Sequence, residues 1–64
     1  MNRVRVIDCP DFPEFIGSTG YVYEIADGEK YPIKISFDKP VEVTVTDTYD
    51  IAEFKESEVC VLDV

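Results

Sequence analysis

The chain has 64 residues, with 14 Asp plus Glu against 6 Lys plus Arg, so its formal net charge is −8. This length fits one domain with a small core and leaves little room for an enclosed active-site cavity. The longest uncharged stretch, residues 15–23, is far shorter than the ~20 apolar residues of a membrane-spanning helix. Residues 1–8 hold too short an apolar run for a secretory signal. We therefore expect one domain, residues 1–64, in a cytoplasm.

The acidic balance argues against direct binding to nucleic acid or to an anionic membrane, because such binding depends on Lys and Arg. A basic protein, or a nucleic-acid-binding protein whose site normally takes phosphates, is the favoured electrostatic partner. The same charge would also keep a small protein soluble without any partner. Both interpretations stay open at this point.

The two cysteines, Cys9 and Cys60, lie near opposite ends of the chain. Two free thiols are expected in a reducing compartment, with Cys60 buried in a strand, and a disulfide between them is the alternative. Zinc sites use four nitrogen or sulfur ligands, and a chain without His has only these two side chains of that kind. We expect no metal and no cofactor.

Alternating apolar and polar residues predict strands along most of the chain. The first predicted strand is residues 3–7. Residues 8–14 follow as a loop, because two prolines within four residues exclude a helix interior and a central strand. Phe12 and Phe15 are expected to fold back from this loop and cover one end of the core.

Residues 21–25 and 31–37 predict two strands joined by a tight hairpin, for which the Asp27-Gly28 pair is the signal. Pro32 cannot donate to a ladder, so we expect it at the start or the edge of the second strand. Alternation then places Ile33, and every second residue before and after it, on one face of that strand.

The second half of the chain is also predicted to be strand-rich. A turn is expected at residues 38–40, and residues 41–46 are the strongest strand prediction because five of the six are β-branched. The remaining predicted elements are a bend at 47–48, a strand at 49–54, a helical turn at 55–58 and a last strand at 59–62. Five or six short strands in so short a chain predict an all-β barrel or rolled sheet.

A resemblance to a known fold family begins at Gly17. The spacing of Gly17, Gly20, Val22 and Ile25 resembles the glycine-and-apolar core of the KOW element of SH3-like barrels. Residues 20–22, 30–38, 52–54 and 56–59 are similar to the small photosystem I accessory-subunit family and its SH3-like relatives. The resemblance implies an SH3-like barrel of five or six short antiparallel strands. It also implies a short helical turn before a last strand that pairs with the first and brings Cys60 towards Cys9.

The surface residues of this chain differ from those of the families that it resembles. KOW proteins that touch RNA, and the photosystem subunit that helps to dock ferredoxin, use basic residues, whereas the loops here carry acids such as Asp27 and Glu29. SH3 domains that bind polyproline need a Trp, and this chain has none. RNA, ferredoxin and proline-rich ligands are therefore not expected.

The residue types needed for catalysis are missing. With no His, neither a Ser-His nor a Cys-His nucleophile arrangement can be built. Gly17 and Gly20 lack the Gly-Lys-Ser/Thr continuation of a phosphate-binding loop. We expect that the protein is not an enzyme.

Acids are concentrated in the second half of the chain, where Lys55 is the only base between residues 42 and 58. If the valines of residues 41–46 face inward, the acids form one negative stripe on the outer face. This acidic stripe consists of Glu42, Asp47, Asp50, Glu53, Glu56 and Glu58. It predicts a docking surface, and a solvated face that protects sheet edges from aggregation is the alternative.

Tyr21 and Tyr23 are the other candidate partner-binding residues. They share one strand face, opposite Val22. They belong either to the core or to an exposed interface, where Tyr is a common anchor.

These features predict an acidic, non-catalytic protein-binding module in a bacterial or phage-infected cytoplasm. The sharper hypothesis is a phage or mobile-element protein that inhibits a host nucleic-acid-binding protein by DNA-like acidic mimicry. The alternative is an accessory subunit of a larger assembly. A monomer is expected, or a weak homodimer formed by pairing of strand edges.

Overall fold

The computed structural model describes residues 2–62. Within these residues, five strands and two short 3-10 turns follow one another. They are β1 (Arg3–Val6), η1 (Pro13–Phe15), β2 (Thr19–Ile25), β3 (Ile33–Glu42), β4 (Thr48–Phe54), η2 (Glu56–Glu58) and β5 (Val59–Val61).

The five strands form one antiparallel sheet in the order β4-β3-β2-β1-β5. The last strand returns to the first, so that Val4 lies opposite Val61 and Val6 opposite Val59. A short 3-10 turn precedes that last strand. The predicted fold class, a small all-β fold of SH3-like form, is confirmed. Within the described residues no helix has the length and apolar character needed to cross a membrane.

The core follows from the alternation of side chains along β1 and β3. Val4 and Val6 face inward from β1 and are buried, and every second residue of β3 from Ile33 to Phe37 is buried as well. Cys9 from the loop after β1, Phe15 from η1 and Phe54 from β4 complete this core. The predicted inward face of β3 is thereby confirmed.

The aromatic part of the core is a cluster of three rings. The ring of Phe15 stacks on Phe37 with centroids 5.5 Å apart, and Phe54 stands edge-on to both. Such pairs stabilise by about 0.5–1.5 kcal/mol beyond the area that they bury. Phe12 contacts Phe15 edge-on at 6.3 Å but is 52% exposed, so only one of the two predicted loop phenylalanines is buried.

The chain turns at Asp27 and Gly28 between β2 and β3 as predicted, but the connection is a loop of residues 26–32 and not a tight hairpin. The backbone N–H of Ala26 donates to the carbonyl of Pro32 at 2.9 Å, which closes the loop immediately before β3 begins at Ile33. Gly28 has a φ of +90°, a conformation that a residue with a Cβ rarely adopts. Pro32 therefore stands just before the strand, where no ladder donor is required.

The predicted turn at residues 38–40 is wrong, because β3 continues through this segment to Glu42. The pairing with β4 shifts between Ser36, opposite Ile51, and Val41, opposite Tyr49. Residues 37–40 therefore stand opposite Asp50 alone, as a bulge. A proline is tolerated in a bulge because the ladder there needs no N–H.

The predicted strand at residues 41–46 is also wrong beyond Glu42. The chain reverses between Val43 and Asp47, where the N–H of Val43 donates to the carbonyl of Asp47 at 3.0 Å. The hydroxyl of Thr44 accepts hydrogen bonds from the backbone N–H groups of Thr46 and Asp47. Local bonds of this kind compete with strand pairing. Val45 does not face inward as expected, but is fully exposed at the tip of this turn.

One ion pair joins β1 to the bulge of β3. The guanidinium of Arg3 donates to both carboxylate oxygens of Asp38 at 2.5 and 2.6 Å, and the hydroxyl of Thr19 donates to the same carboxylate at 2.8 Å. These hydrogen bonds, with that from Arg3 as the largest cause, lower the pKa of Asp38 to about 2. Three strands are thus tied together at one point.

Both cysteines are free, Cys9 buried and Cys60 exposed. The prediction that Cys60 is buried is wrong because of the β5 register. The two residues on either side of Cys60 lie opposite the inward-facing Val4 and Val6. Cys60 itself therefore lies opposite Arg5, on the outer face of the sheet.

Candidate functional site

A groove of about 270 Å³ lies between β4 and the loop that joins β1 to β2. Its lining comes from β4, from that loop, from Tyr31 and from η2. The lining residues are Cys9, Asp11, Phe12, Phe15, Tyr31, Tyr49, Ile51, Ala52, Glu53, Phe54 and Glu58. This volume is below the ~300–1,000 Å³ of typical small-molecule sites. The groove therefore suits side chains of another protein better than an enclosed small ligand.

The apolar part of the groove is an extension of the core. Phe15 contacts the ring of Tyr49 edge-on at 5.8 Å, and Phe12 packs on Phe15 from the other side. Phe12 and Tyr49 are each about half exposed. Because the buried ring of Phe15 fixes both of them, they present aromatic surface to solvent in a defined position.

The charged part of the groove is negative. Asp11, Glu53 and Glu58 line it, and no Lys or Arg of the described chain does so. The thiol of Cys9, which shares the lining, has its pKa raised first by burial and then by the charges of Glu58, Asp11 and Asp8. A hydrogen bond to the backbone of Phe12 acts on that pKa in the opposite direction. A cation placed here would meet a negative electrostatic potential.

Glu58 is 7% exposed, so its predicted place on an exposed stripe is wrong. Its Oε1 accepts a hydrogen bond from the backbone N–H of Lys55 at 2.8 Å, which draws the carboxylate back onto η2. Its carbonyl accepts from the N–H groups of Ile7 and Asp8, which fixes the start of the β1–β2 loop. Glu58 therefore builds the groove and also lines it.

The five other acids of the predicted stripe are exposed and follow β4 from end to end. Glu42 lies opposite the first residue of β4, Asp47 precedes the strand, Asp50 and Glu53 belong to it, and Glu56 follows in η2.

Two of these five acids already have partners. Glu53 accepts from the ammonium of Lys34 at 2.6 Å, and Asp47 accepts from the hydroxyl of Thr44 at 3.1 Å. Within residues 2–62 no ion pair involves the remaining three, Glu42, Asp50 and Glu56. The negative charge beside β4 is thus concentrated on those three side chains and on the groove.

Tyr21 and Tyr23 are 37% and 42% exposed and lie outside the groove. Tyr21 lies opposite Ser36 of β3 and Arg3 of β1 on the outer face of the sheet. Tyr23 stands where the β2–β3 register shifts between Val22 and Glu24, so a bulge interrupts the strict alternation expected for this strand. Their role as interface anchors stays a prediction.

The sequence pattern does not predict the groove, because its lining comes from segments that are far apart in the chain. The sequence pattern predicts that Phe12 covers one end of the core, and it gives no indication that Asp11 joins it beside β4. The available signal was a loop in which Pro10 and Pro13 hold an acid and an aromatic residue between them.

The described residues contain no group of three or more side chains that could hold a metal ion. A comparison with known proteins finds no family model, no curated protein and no solved structure that matches this chain.

Proposed function

We propose that this domain is a non-catalytic protein-binding module that takes a basic surface of its partner into the groove beside β4. The observation that carries the proposal is the combination of exposed aromatic rings, Phe12 and Tyr49, with the carboxylates of Asp11 and Glu58 in one concave site. A Lys or Arg side chain packs its stem on an aromatic face and holds its charge at a carboxylate.

The acids along β4 extend this site electrostatically. Glu42, Asp50 and Glu56 would attract a basic partner over a distance of several ångströms and align it with the strand. Such charges raise the association rate and its salt dependence more than they raise affinity. The partner class that fits is a nucleic-acid-binding protein in a bacterial or phage-infected cytoplasm. This domain would inhibit that partner by occupying its phosphate-binding surface.

Capture of partners from bacterial lysate at low salt and at ~0.5 M salt tests the proposal, because the higher concentration screens surface charge. The native protein is compared with Asp11→Lys in the groove and with Asp50→Lys on β4. Asp27→Lys, in the β2–β3 turn outside the groove, is the control with the same change of charge. Glu53 and Glu58 are less suitable because their carboxylates also make internal hydrogen bonds.

The expected partner is a nucleic-acid-binding protein that the native domain and Asp27→Lys capture at low salt. DNA should compete with it, and Asp11→Lys should fail to capture it. A partner that Asp11→Lys captures as well as the control does would refute the groove as the binding site.

A second candidate function, an accessory subunit of a larger assembly, is favoured by the outer face of the sheet, which meets the groove at Ile51. Tyr21 and Ile51 lie on either side of Ser36 across three adjacent strands, and both are exposed. Such an apolar row suits a stable interface. A partner that stays bound at high salt, and that Tyr21→Glu loses, would favour this function over the first.

A further inference from the structure

We infer that the partner contributes an extended, basic segment that lies in the groove and adds a sixth strand to the free edge of β4. This inference rests on the proposed function, since it names the form in which the basic partner binds. Four properties of β4 and its groove support it.

The first property is the free edge of β4. The strand lies at one end of the sheet order and pairs with β3 alone. In the described part of the chain, none of the backbone hydrogen bonds outside the ladders involves residues 49–54. In an antiparallel pair every second residue turns its N–H and C=O away from the neighbouring strand. β4 therefore offers a row of backbone donors and acceptors on its outer side.

The second property is the direction of the groove. Four consecutive residues of β4, numbers 51–54, line it, together with Tyr49. Consecutive strand residues point to opposite faces of a sheet, so a groove that touches all of them runs along the edge of the strand and not across one face. At about 3.4 Å per residue, the stretch 49–54 is ~20 Å long and matches a partner strand of about six residues.

The third property is the charge, which selects the occupant. A second copy of this chain would bring a second β4 with the same exposed acids, Asp50 among them, to this edge, and like charges on paired strands are destabilising. A segment with Lys or Arg at alternate positions meets the opposite charge. The chemistry of the edge therefore favours a basic partner over self-association.

The fourth property is that two cations of this chain, which do not themselves line the groove, lie over Tyr31 at one of its ends. The ammonium groups of Lys30 and Lys55 lie 5.6 and 5.7 Å from the centroid of the Tyr31 ring. Within residues 2–62, no Lys or Arg side chain makes a cation–π contact with the ring of Phe12. The basic side chains of the added strand therefore lie at the Phe12 end of the groove, where Asp11 is exposed, while its backbone pairs with β4.

Two peptides of equal charge test strand addition directly. One is a capped octapeptide of alternating Lys and Val, and the other is a capped octapeptide of alternating Lys and Pro. Proline removes every second backbone donor and favours the polyproline conformation. Binding to the native domain is measured by calorimetry, and hydrogen exchange of the β4 amides is followed by NMR. Asp11→Lys and Asp27→Lys serve again as the groove variant and its control.

Strand addition predicts that the Lys-Val peptide binds at least about tenfold more tightly than the Lys-Pro peptide. It also predicts an alternating pattern, in which the Lys-Val peptide slows exchange at every second amide of residues 49–54. Asp11→Lys should weaken this binding and Asp27→Lys should not.

Equal affinity for the two peptides, still reduced by Asp11→Lys, would overturn strand addition and leave the acidic groove as a binding site. Absence of binding by the Lys-Val peptide at millimolar concentration would also overturn strand addition. The capture experiment with intact partner proteins then decides the proposed function independently.

Discussion

Replacing Gly20 with Ala is expected to remove much of the stability of this domain. Gly20 lies in the middle of the sheet, opposite Val4 on one side and Phe37 on the other. A Cβ at this position would overlap the carbonyl oxygen of Ser36 and lie 2.9 Å from the Cα of Phe37. These are backbone atoms, so no side-chain rotation relieves the overlap, and β2 and β3 would have to separate.

The expected loss can be estimated from typical magnitudes. Overpacking that forces backbone shifts costs about 1–3 kcal/mol, and each ladder hydrogen bond that is stretched or broken costs about 1 kcal/mol more. We expect the Gly20→Ala variant to lose about 3 kcal/mol. A chain of this length has a total free energy of unfolding of about 3–10 kcal/mol.

Urea unfolding followed by far-ultraviolet circular dichroism measures this loss. With an m-value of about 1 kcal/mol per molar urea, the midpoint should fall by ~3 M, and the melting temperature by ~12–24 °C. Gly28→Ala is the matched control, because no atom lies within 4 Å of the added Cβ and only the φ of +90° opposes it. That strain costs about 1–2 kcal/mol. A Gly20→Ala variant at least as stable as Gly28→Ala would refute the close approach of β2 and β3 as the reason for this glycine.

Three further changes have defined outcomes. Phe54→Ala removes a ring that is 1% exposed. The free energy of unfolding should fall by about 3–5 kcal/mol, so circular dichroism should show much of the variant unfolded. A fully folded variant would show instead that the core around residue 54 collapses to fill the cavity. Asp38 has its pKa lowered from 3.8 to about 2, chiefly by Arg3, so the resulting stability is present above about pH 4 and is lost as the pH falls through about 2. The urea midpoint of Asp38→Asn should therefore fall less than that of the native protein over this interval, and parallel curves would contradict the ion pair. Iodoacetamide should label Cys60 in the folded protein and Cys9 only after unfolding, because Cys9 is buried and the pKa of its thiol is raised. Mass spectrometry of the labelled peptides measures the order of labelling, and labelling of Cys9 before Cys60 would contradict the burial of Cys9.

The strands whose inward faces are purely apolar could be predicted from the sequence. Residues 3–6 alternate without interruption and form β1, and the alternation of residues 33–37 lies within β3, although β3 begins after residue 31 and continues past the predicted end to Glu42. The turn at Asp27 and Gly28 could be predicted as well, since it depends on those two residues. In each case the residues that carry the sequence pattern are the same residues that form the strand or the turn.

Residues 38–46 could not be predicted correctly because their conformation depends on contacts with distant segments. Asp38 is held by Arg3, far away in the sequence, which keeps β3 extended where the local pattern of Asp38 and Pro40 predicts a turn. The β-branched residues that follow have high strand propensity, but the hydroxyl of Thr44 bonds to the next backbone N–H groups and the chain turns instead. Strand propensity is a property of the packing site as much as of the residue.

The candidate site could be predicted only in part for the same reason. The concentration of acids near β4 is visible in the sequence, and five of the six are exposed. The burial of Glu58 depends on a bond to its own turn, and the groove depends on the return of Asp11 and Phe12 to β4 from another part of the chain. The pattern of residues along the chain shows neither that hydrogen bond nor the return of the loop to β4.

The pairing of β5 with β1 has a consequence for the synthesis of this protein. β1 leaves the ribosome before β5, so one side of β1 has no sheet neighbour until the residues between Val6 and Val59 have also emerged. At about 5–20 residues per second, translation leaves this edge unpaired for several seconds. An unpaired apolar edge is a site of aggregation. The alternation of Arg3 and Arg5 with the valines of β1 places positive charge on the nascent edge during this interval.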